Sequence, residues 1–144
     1  MVAGTTGGGS TVPVAEAPVG WASIGVVDMG RLFDAHPRTQ SSIAELAAER
    51  TEAKAELKRI ADRGDATEAK RFRVQREKEI ENESARFRCE IMSDLQARCQ
   101  AVASQRKLAL LLDSSGKTRN DNPVVMNASG VIDITNEVLR ELER

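Results

Sequence analysis

The stretch that decides the fold is residues 67–107, TEAKRFRVQREKEIENESARFRCEIMSDLQARCQAVASQRK. Most of its side chains are charged or small, but one position in every three or four belongs to a mainly apolar stripe. The members of this stripe are Ile80, Ser84, Phe87, Ile91, Leu95, Cys99 and Val102. Such spacing places side chains on one face of an α-helix. The stretch therefore predicts a long helix that buries a narrow stripe and exposes the rest of its surface.

A second, thinner stripe precedes this helix between Thr39 and Asp62. Its members are Ile43, Leu46, Ala53, Leu57 and Ile60, with Arg50 as the interruption. Residues 63–66, Arg-Gly-Asp-Ala, separate the two stripes and have the composition of a turn. Two amphipathic helices joined by a short turn predict an antiparallel helical hairpin over residues 39–107. With residues 29–38 included in the first, each arm would be about 50–60 Å long.

The segments that flank the hairpin predict a small mixed head. Residues 21–28, 108–113 and 124–126 are short apolar runs typical of strands, and the second run is expected to be buried. Residues 29–35 predict a short helix that ends before Pro37, and side chains in 133–136 can cap a final helix. We therefore expect an α+β fold, mainly α. Residues 1–20 would be disordered and 21–144 would form one domain, whose head comprises residues 21–38 and 108–144.

The predicted head contains too few residues to bury much apolar surface alone. A core of this size usually needs oligomerisation, so the head is expected to self-associate. The side chains expected at the contact are Ile24, Val26, Leu110, Leu112, Ile134, Val138 and Leu139.

The composition argues against several classes of function. The 144 residues include 21 Lys and Arg and 22 Asp and Glu, and a net charge of −1 does not favour a nucleic-acid partner. One His and two Cys offer little for a zinc site or a Cys/His catalytic pair. We expect no enzyme activity, no metal and no cofactor. No secretory signal is visible, and no apolar run approaches the roughly 18 residues of a membrane span.

Four segments together resemble the Skp/OmpH family of periplasmic chaperones. They are residues 24–33, the helical hairpin, residues 110–113 and residues 131–139, the last reading VIDITNEVL. The resemblance implies a β head that forms a homotrimer, from which three helical tentacles enclose a cavity. It implies an ATP-independent holdase for unfolded outer-membrane β-barrel proteins, a periplasmic location and weak contact with anionic membranes. The alternative is a structural coiled-coil adaptor that docks a folded partner.

The hairpin surface is where the client would bind under this resemblance. Unfolded chains have no single shape, so scattered apolar groups on mobile walls suit them better than a fixed pocket. The apolar candidates are Phe72, Val74, Ile80, Phe87 and Met92. The basic residues expected to steer anionic clients are Lys70, Arg71, Arg73, Arg76 and Lys78.

Overall fold

The computed structural model describes residues 23–144. The predicted disordered segment 1–20, and Trp21 and Ala22 of the predicted first strand, lie outside the described residues. The elements in chain order are β1 (Ile24–Val27), α1 (Met29–Ala35), α2 (Pro37–Asp62), α3 (Ala66–Gln105), β2 (Leu110–Asp113), β3 (Ile132–Asp133) and α4 (Thr135–Leu142). The predicted α+β, mainly α composition is confirmed.

The break between α1 and α2 follows from Pro37, the first residue of α2. Proline lacks a backbone N–H and disfavours helical geometry in the preceding residue, so His36 is extended, with φ −65° and ψ 129°. The His36 ring then caps α2, because its Nδ1 accepts the Arg38 backbone N–H at 3.1 Å.

The turn between α2 and α3 lies where the sequence predicts it. Gly64 has a φ of +82°, a left-handed conformation that glycine adopts without steric cost. Asp65 caps α3 by accepting the Glu68 backbone N–H at 2.8 Å. The 40 residues of α3 span about 60 Å at 1.5 Å per residue.

Helices α2 and α3 pack along a mainly apolar seam, and we call them the α2–α3 pair. Leu46, Ile80 and Phe87 form a buried group with Ala53 packed against it, here termed the distal cluster. Six members of the predicted α3 stripe are buried, and the seventh, Ser84, is half-buried. The predicted place of Ile43 in the α2 stripe is wrong, because its side chain is 57% exposed.

Thr39 and Ser42 are buried on α2 where an apolar stripe would have used Ile43. Each hydroxyl donates to a nearby carbonyl oxygen: Thr39 to that of Phe33 at 2.5 Å and Ser42 to that of Thr39 at 2.9 Å. Hydrogen bonding of this kind removes most of the cost of burying a hydroxyl. Small hydroxyl side chains can therefore share the interface with Phe87, whose ring lies 4.8 Å from the Arg38 guanidinium.

The sheet has the order β2-β1-β3, and both neighbours run parallel to β1. Ile24 pairs with Leu110, and Val26 pairs with both Leu112 and Asp133. The prediction of a third strand at residues 124–126 is wrong. The strand that pairs with β1 on the side opposite β2 consists of residues 132–133 instead. Val124 and Met126 lie in the connecting loop and are 60% and 89% exposed.

The main core joins one face of the sheet to three helices. Its buried members, here called the head core, are Val27, Leu32, Ile91, Leu95, Cys99, Val102, Ile134 and Val138. Four of these eight residues come from the C-terminal part of α3, between Ile91 and Val102. Helix α3 therefore contributes both to the head core and to the distal cluster with α2.

Candidate functional site

The second face of the sheet carries an uncovered apolar surface. Side chains alternate between the two faces of a strand, so Ile24, Val26, Leu110 and Leu112 share the face opposite Val27. We call these four residues the open sheet face. Leu110 and Leu112 are 48% and 41% exposed, although Val26 is buried in the central strand. The prediction that residues 108–113 form a buried strand is wrong, because β2 is an edge strand.

Helix α4 buries its apolar side chains within its own chain. Ile134 and Val138 are 0% exposed in the head core, and Leu139 packs against that core. Of the three residues expected at the self-association contact, Ile134 and Val138 therefore offer no surface to a partner in this conformation, whereas Leu139 is half-buried. The reason is that α3 supplies the missing core face through Ile91 and Leu95.

The five apolar client candidates do not converge on one surface. Ile80 and Phe87 are 8% and 3% exposed inside the distal cluster, so neither side chain is available to a client in this conformation. Met92 packs against the head core, and Val74 is 55% exposed. Phe72 is half-buried and lines an open groove between α2 and α3.

The five basic candidates divide into paired and unpaired groups. Arg76 donates to Glu79 at 2.7 Å, which raises the pKa of Arg76 and lowers that of Glu79. Arg73 lies 4.0 Å from Glu77. Within residues 23–144, Lys70, Arg71 and Lys78 form no ion pair, and all three are exposed. The positive charge available for steering therefore comes mainly from these three residues.

An open groove of about 520 Å³ lies between α2 and α3, on the turn side of the distal cluster. Ala53, Leu57, Phe72 and Ile80 contribute apolar surface to it. Its charged lining residues are Arg50, Lys54, Arg73, Arg76, Glu77 and Glu81. The sequence signal for this groove is the interruption at Arg50 followed by the small Ala53, which removes two large side chains from the seam.

A polar network that sequence reasoning missed joins the head to the α2–α3 pair. Asp94 on α3 contacts His36 Nε2 at 3.0 Å and accepts from Arg98 Nε at 2.8 Å. Arg98 also donates to the Glu141 carbonyl oxygen on α4 at 2.7 Å. Since Nδ1 of His36 accepts the α2 capping bond, the neutral ring donates through Nε2. The hydrogen bond from Arg98 is the main cause that lowers the pKa of Asp94; burial opposes it by a smaller amount, and the hydrogen bond from His36 lowers the pKa further.

The carboxylates at the carboxyl edge of the sheet have local structural partners. Asp28 accepts from the Arg31 backbone N–H, Asp113 from Met29 and Ser115, and Asp133 from Thr135. Within residues 23–144 no three Asp, Glu, His or Cys residues form a group suited to a metal ion. These side chains stabilise the first turns and loops beyond the strands.

The two cysteines have different environments, because Cys99 belongs to the α3 stripe and Cys89 does not. Cys99 is buried with its Sγ 3.8 Å from Met29 Sδ, and burial raises the pKa of its thiol. Cys89 is exposed on α3.

No helix within residues 23–144 has both the length and the apolar character needed to cross a bilayer. No protein-family model matches the chain, and a search of curated proteins finds no significant match.

Proposed function

We propose that the chain is an ATP-independent holdase that assembles as a homotrimer through its head and binds unfolded chains along three projecting α2–α3 hairpins. The observation that carries this proposal is the open sheet face. Leu110 and Leu112 place adjacent apolar side chains on an edge strand, where an unprotected monomer would risk association. A second and third copy would cover that surface.

The α2–α3 pair supports the client-binding half of the proposal. Its distal part combines a thin seam with unpaired cations, an exposed Val74 and a half-buried Phe72. A thin seam opens at low cost, since local stability follows the number of buried apolar contacts. Walls of this kind can adapt to unfolded clients without ATP. By its resemblance to periplasmic chaperones, the client class is outer-membrane β-barrel proteins and the location is the periplasm.

The same features bear on the membrane and adaptor alternatives. Lys70, Arg71 and Lys78 would attract anionic lipid headgroups weakly, and only at low ionic strength. The adaptor alternative draws on the many exposed ion pairs of the α2–α3 pair, such as Arg59–Glu56 and Arg86–Glu90, which are typical of a solvated helix surface. An adaptor would bind a folded partner and leave an unfolded client to aggregate.

Sedimentation equilibrium tests the assembly through the open sheet face. Wild-type protein should sediment as three chains, and Leu112→Asp should shift the mass toward one chain because it places an unpaired charge in the proposed contact. Val124→Asp is the control, since Val124 is also an exposed apolar residue, at 60% against 41% for Leu112, but lies in the loop. A wild-type monomer at micromolar concentration, or a trimer that Leu112→Asp leaves intact, would contradict the proposed contact.

Light scattering tests the holdase activity directly. An unfolded β-barrel protein is diluted from denaturant with and without an equimolar trimer, in the absence of ATP. The proposal expects suppressed scattering, whereas an adaptor should leave the scattering unchanged. Unchanged scattering over a tenfold excess of trimer would overturn the holdase proposal.

A further inference from the structure

The groove in the α2–α3 pair follows from two consecutive seam positions. The three- and four-residue spacing from Leu46 to Ile60 passes through 50, 53 and 57, and these positions hold Arg50, Ala53 and Leu57. Arg50 is exposed, and Ala53 extends only one methyl group toward α3. The seam is therefore incomplete between the distal cluster and the turn, and a space of about 520 Å³ is left open.

The shape of this space suits an extended peptide segment. Its lining runs from Arg50 to Leu57 on α2 and from Phe72 to Ser84 on α3. At 1.5 Å per residue these ranges cover about 10 and 18 Å along the helices. An extended chain advances about 3.3 Å per residue, so three to five residues fit along the groove. The volume is also within the roughly 300–1,000 Å³ of ordinary binding clefts.

The charge around the groove is positive and partly unpaired. Four cations and two carboxylates line it. Arg76 is paired with Glu79, and Arg73 lies at the limit of pairing with Glu77. Arg50 and Lys54 have no ion pair within residues 23–144, and both are exposed. A ligand with carboxylates beside an apolar group would complement both the unpaired cations Arg50 and Lys54 and the apolar lining of the groove.

We propose that this groove binds a short unfolded segment in which one large apolar side chain is flanked by acidic residues. The apolar side chain would enter beside Ala53 and pack against Phe72 and Leu57, while the flanking carboxylates would meet Arg50 and Lys54. The inference deepens the proposed holdase function and rests on it, because it names the sequence class that each hairpin selects from an unfolded client. Acidic segments with an aromatic residue would be held, and basic or purely polar segments would not.

Fluorescence anisotropy with a defined probe tests the groove. The probe is a fluorescein-labelled nonapeptide with a central Phe between pairs of Asp, compared with versions in which Ala replaces Phe or Lys replaces Asp. The parent probe should bind at least about tenfold more tightly than either version, because each removes one of the two complementary features. Equal affinity for the parent and the Ala version, or no binding of the parent, would overturn the proposal.

Two substitutions with matched controls locate the binding. Ala53→Leu fills the groove and should weaken binding of the probe by about tenfold or more. Its Tm should stay level or rise, since the substitution adds buried apolar area. Ala48→Leu makes the same change at an exposed position of α2 that does not line the groove, and it should have no effect.

Lys54→Glu should weaken binding severalfold at low salt, whereas Lys58→Glu, one turn along and outside the groove, should not. Lys54→Glu changes only an exposed side chain, so it keeps the test valid if Ala53→Leu fails to fold.

Parallel light scattering separates this inference from the holdase proposal. Probe binding with no suppression of aggregation would support the groove as a site and overturn the holdase function. Suppression that Ala53→Leu and Lys54→Glu leave intact would overturn the groove as the client site. If Ala53→Leu instead changes the sedimented mass and the wild type fails to bind the probe, a second copy fills the groove and the proposal is wrong.

Discussion

The two ends of α3 perform different tasks with the same periodic stripe. Near its C-terminus, Ile91, Leu95, Cys99 and Val102 meet a sheet and two other helices in the head core. Nearer the turn, Ile80 and Phe87 meet only α2 through Leu46 and Ala53. We therefore expect local stability to follow the number of facing elements and not the stripe alone. One continuous helix can be anchored firmly at one end and be adaptable at the other.

The largest effect is expected from a cavity in the head core. Leu95→Ala removes a side chain that is 0% exposed, and the surrounding elements cannot collapse into the space. Such changes cost about 3–5 kcal/mol at well-packed sites. Chemical denaturation at fixed protein concentration should show this loss, with secondary structure lost across the whole chain. A loss below about 1 kcal/mol would mean that the head core does not hold the fold together.

The same substitution in the distal cluster should cost less. Leu46→Ala removes a side chain that is 8% exposed and packed against one helix, so the two helices can close on part of the space. We expect a loss of about 2 kcal/mol. Hydrogen exchange should show faster opening confined to the turn side of the α2–α3 pair. Equal acceleration in β1 and α4 would show that the two regions unfold as one unit.

The sequence was most informative where a pattern was long. The stripe of α3 predicts every buried position from Ile80 to Val102, because seven positions in one phase leave little ambiguity. Short apolar runs are different: residues 124–126 and 132–133 both suit a strand, and only pairing with β1 decides between them. The predicted burial of Ile43 is wrong for a related reason. Thr39 and Ser42 are buried instead, because their hydroxyls donate hydrogen bonds to nearby carbonyl oxygens.

The site residues were harder to predict because they depend on contacts between distant segments. His36 and Asp94 are 58 positions apart, and no spacing rule connects them. Ile80 and Phe87 belong to the α3 stripe, whose spacing predicts burial, and nothing in that spacing marks either residue as a client contact. Arg50 is visible in the sequence as an interruption of the stripe, but the groove also depends on the position of Phe72 on the other helix.

The polar network of His36, Asp94 and Arg98, which joins the head to the α2–α3 pair, should have a smaller and pH-dependent effect on the free energy of unfolding. Asp94→Asn removes the carboxylate that Arg98 and His36 share, and its side chain is 41% exposed, so the loss at pH 7 should not exceed about 1 kcal/mol. Because the folded pKa is lowered, the carboxylate stabilises the protein above the unfolded pKa of about 4. That contribution disappears as pH falls through the lower folded pKa.

Thermal unfolding of wild type and Asp94→Asn from pH 7 to pH 3 checks this linkage. The difference in Tm should be constant above about pH 5 and should shrink below about pH 4. Asp34→Asn is the control, because Asp34 is exposed and has no ion pair within residues 23–144. A difference that stays constant down to pH 3, or that grows, would contradict a lowered pKa for Asp94.

The central claim is that the head assembles the protein and the distal α2–α3 pair holds the client. Its most direct test is light scattering of a diluted, unfolded β-barrel protein with a chain in which residues 47–79 are replaced by a short Gly-containing turn. This deletion leaves Ile91–Val102 in place, so the shortened chain should still sediment as three copies and unfold cooperatively. We predict that these trimers no longer suppress aggregation, whereas full-length trimers at the same concentration do. Full suppression by the shortened trimers would contradict the claim.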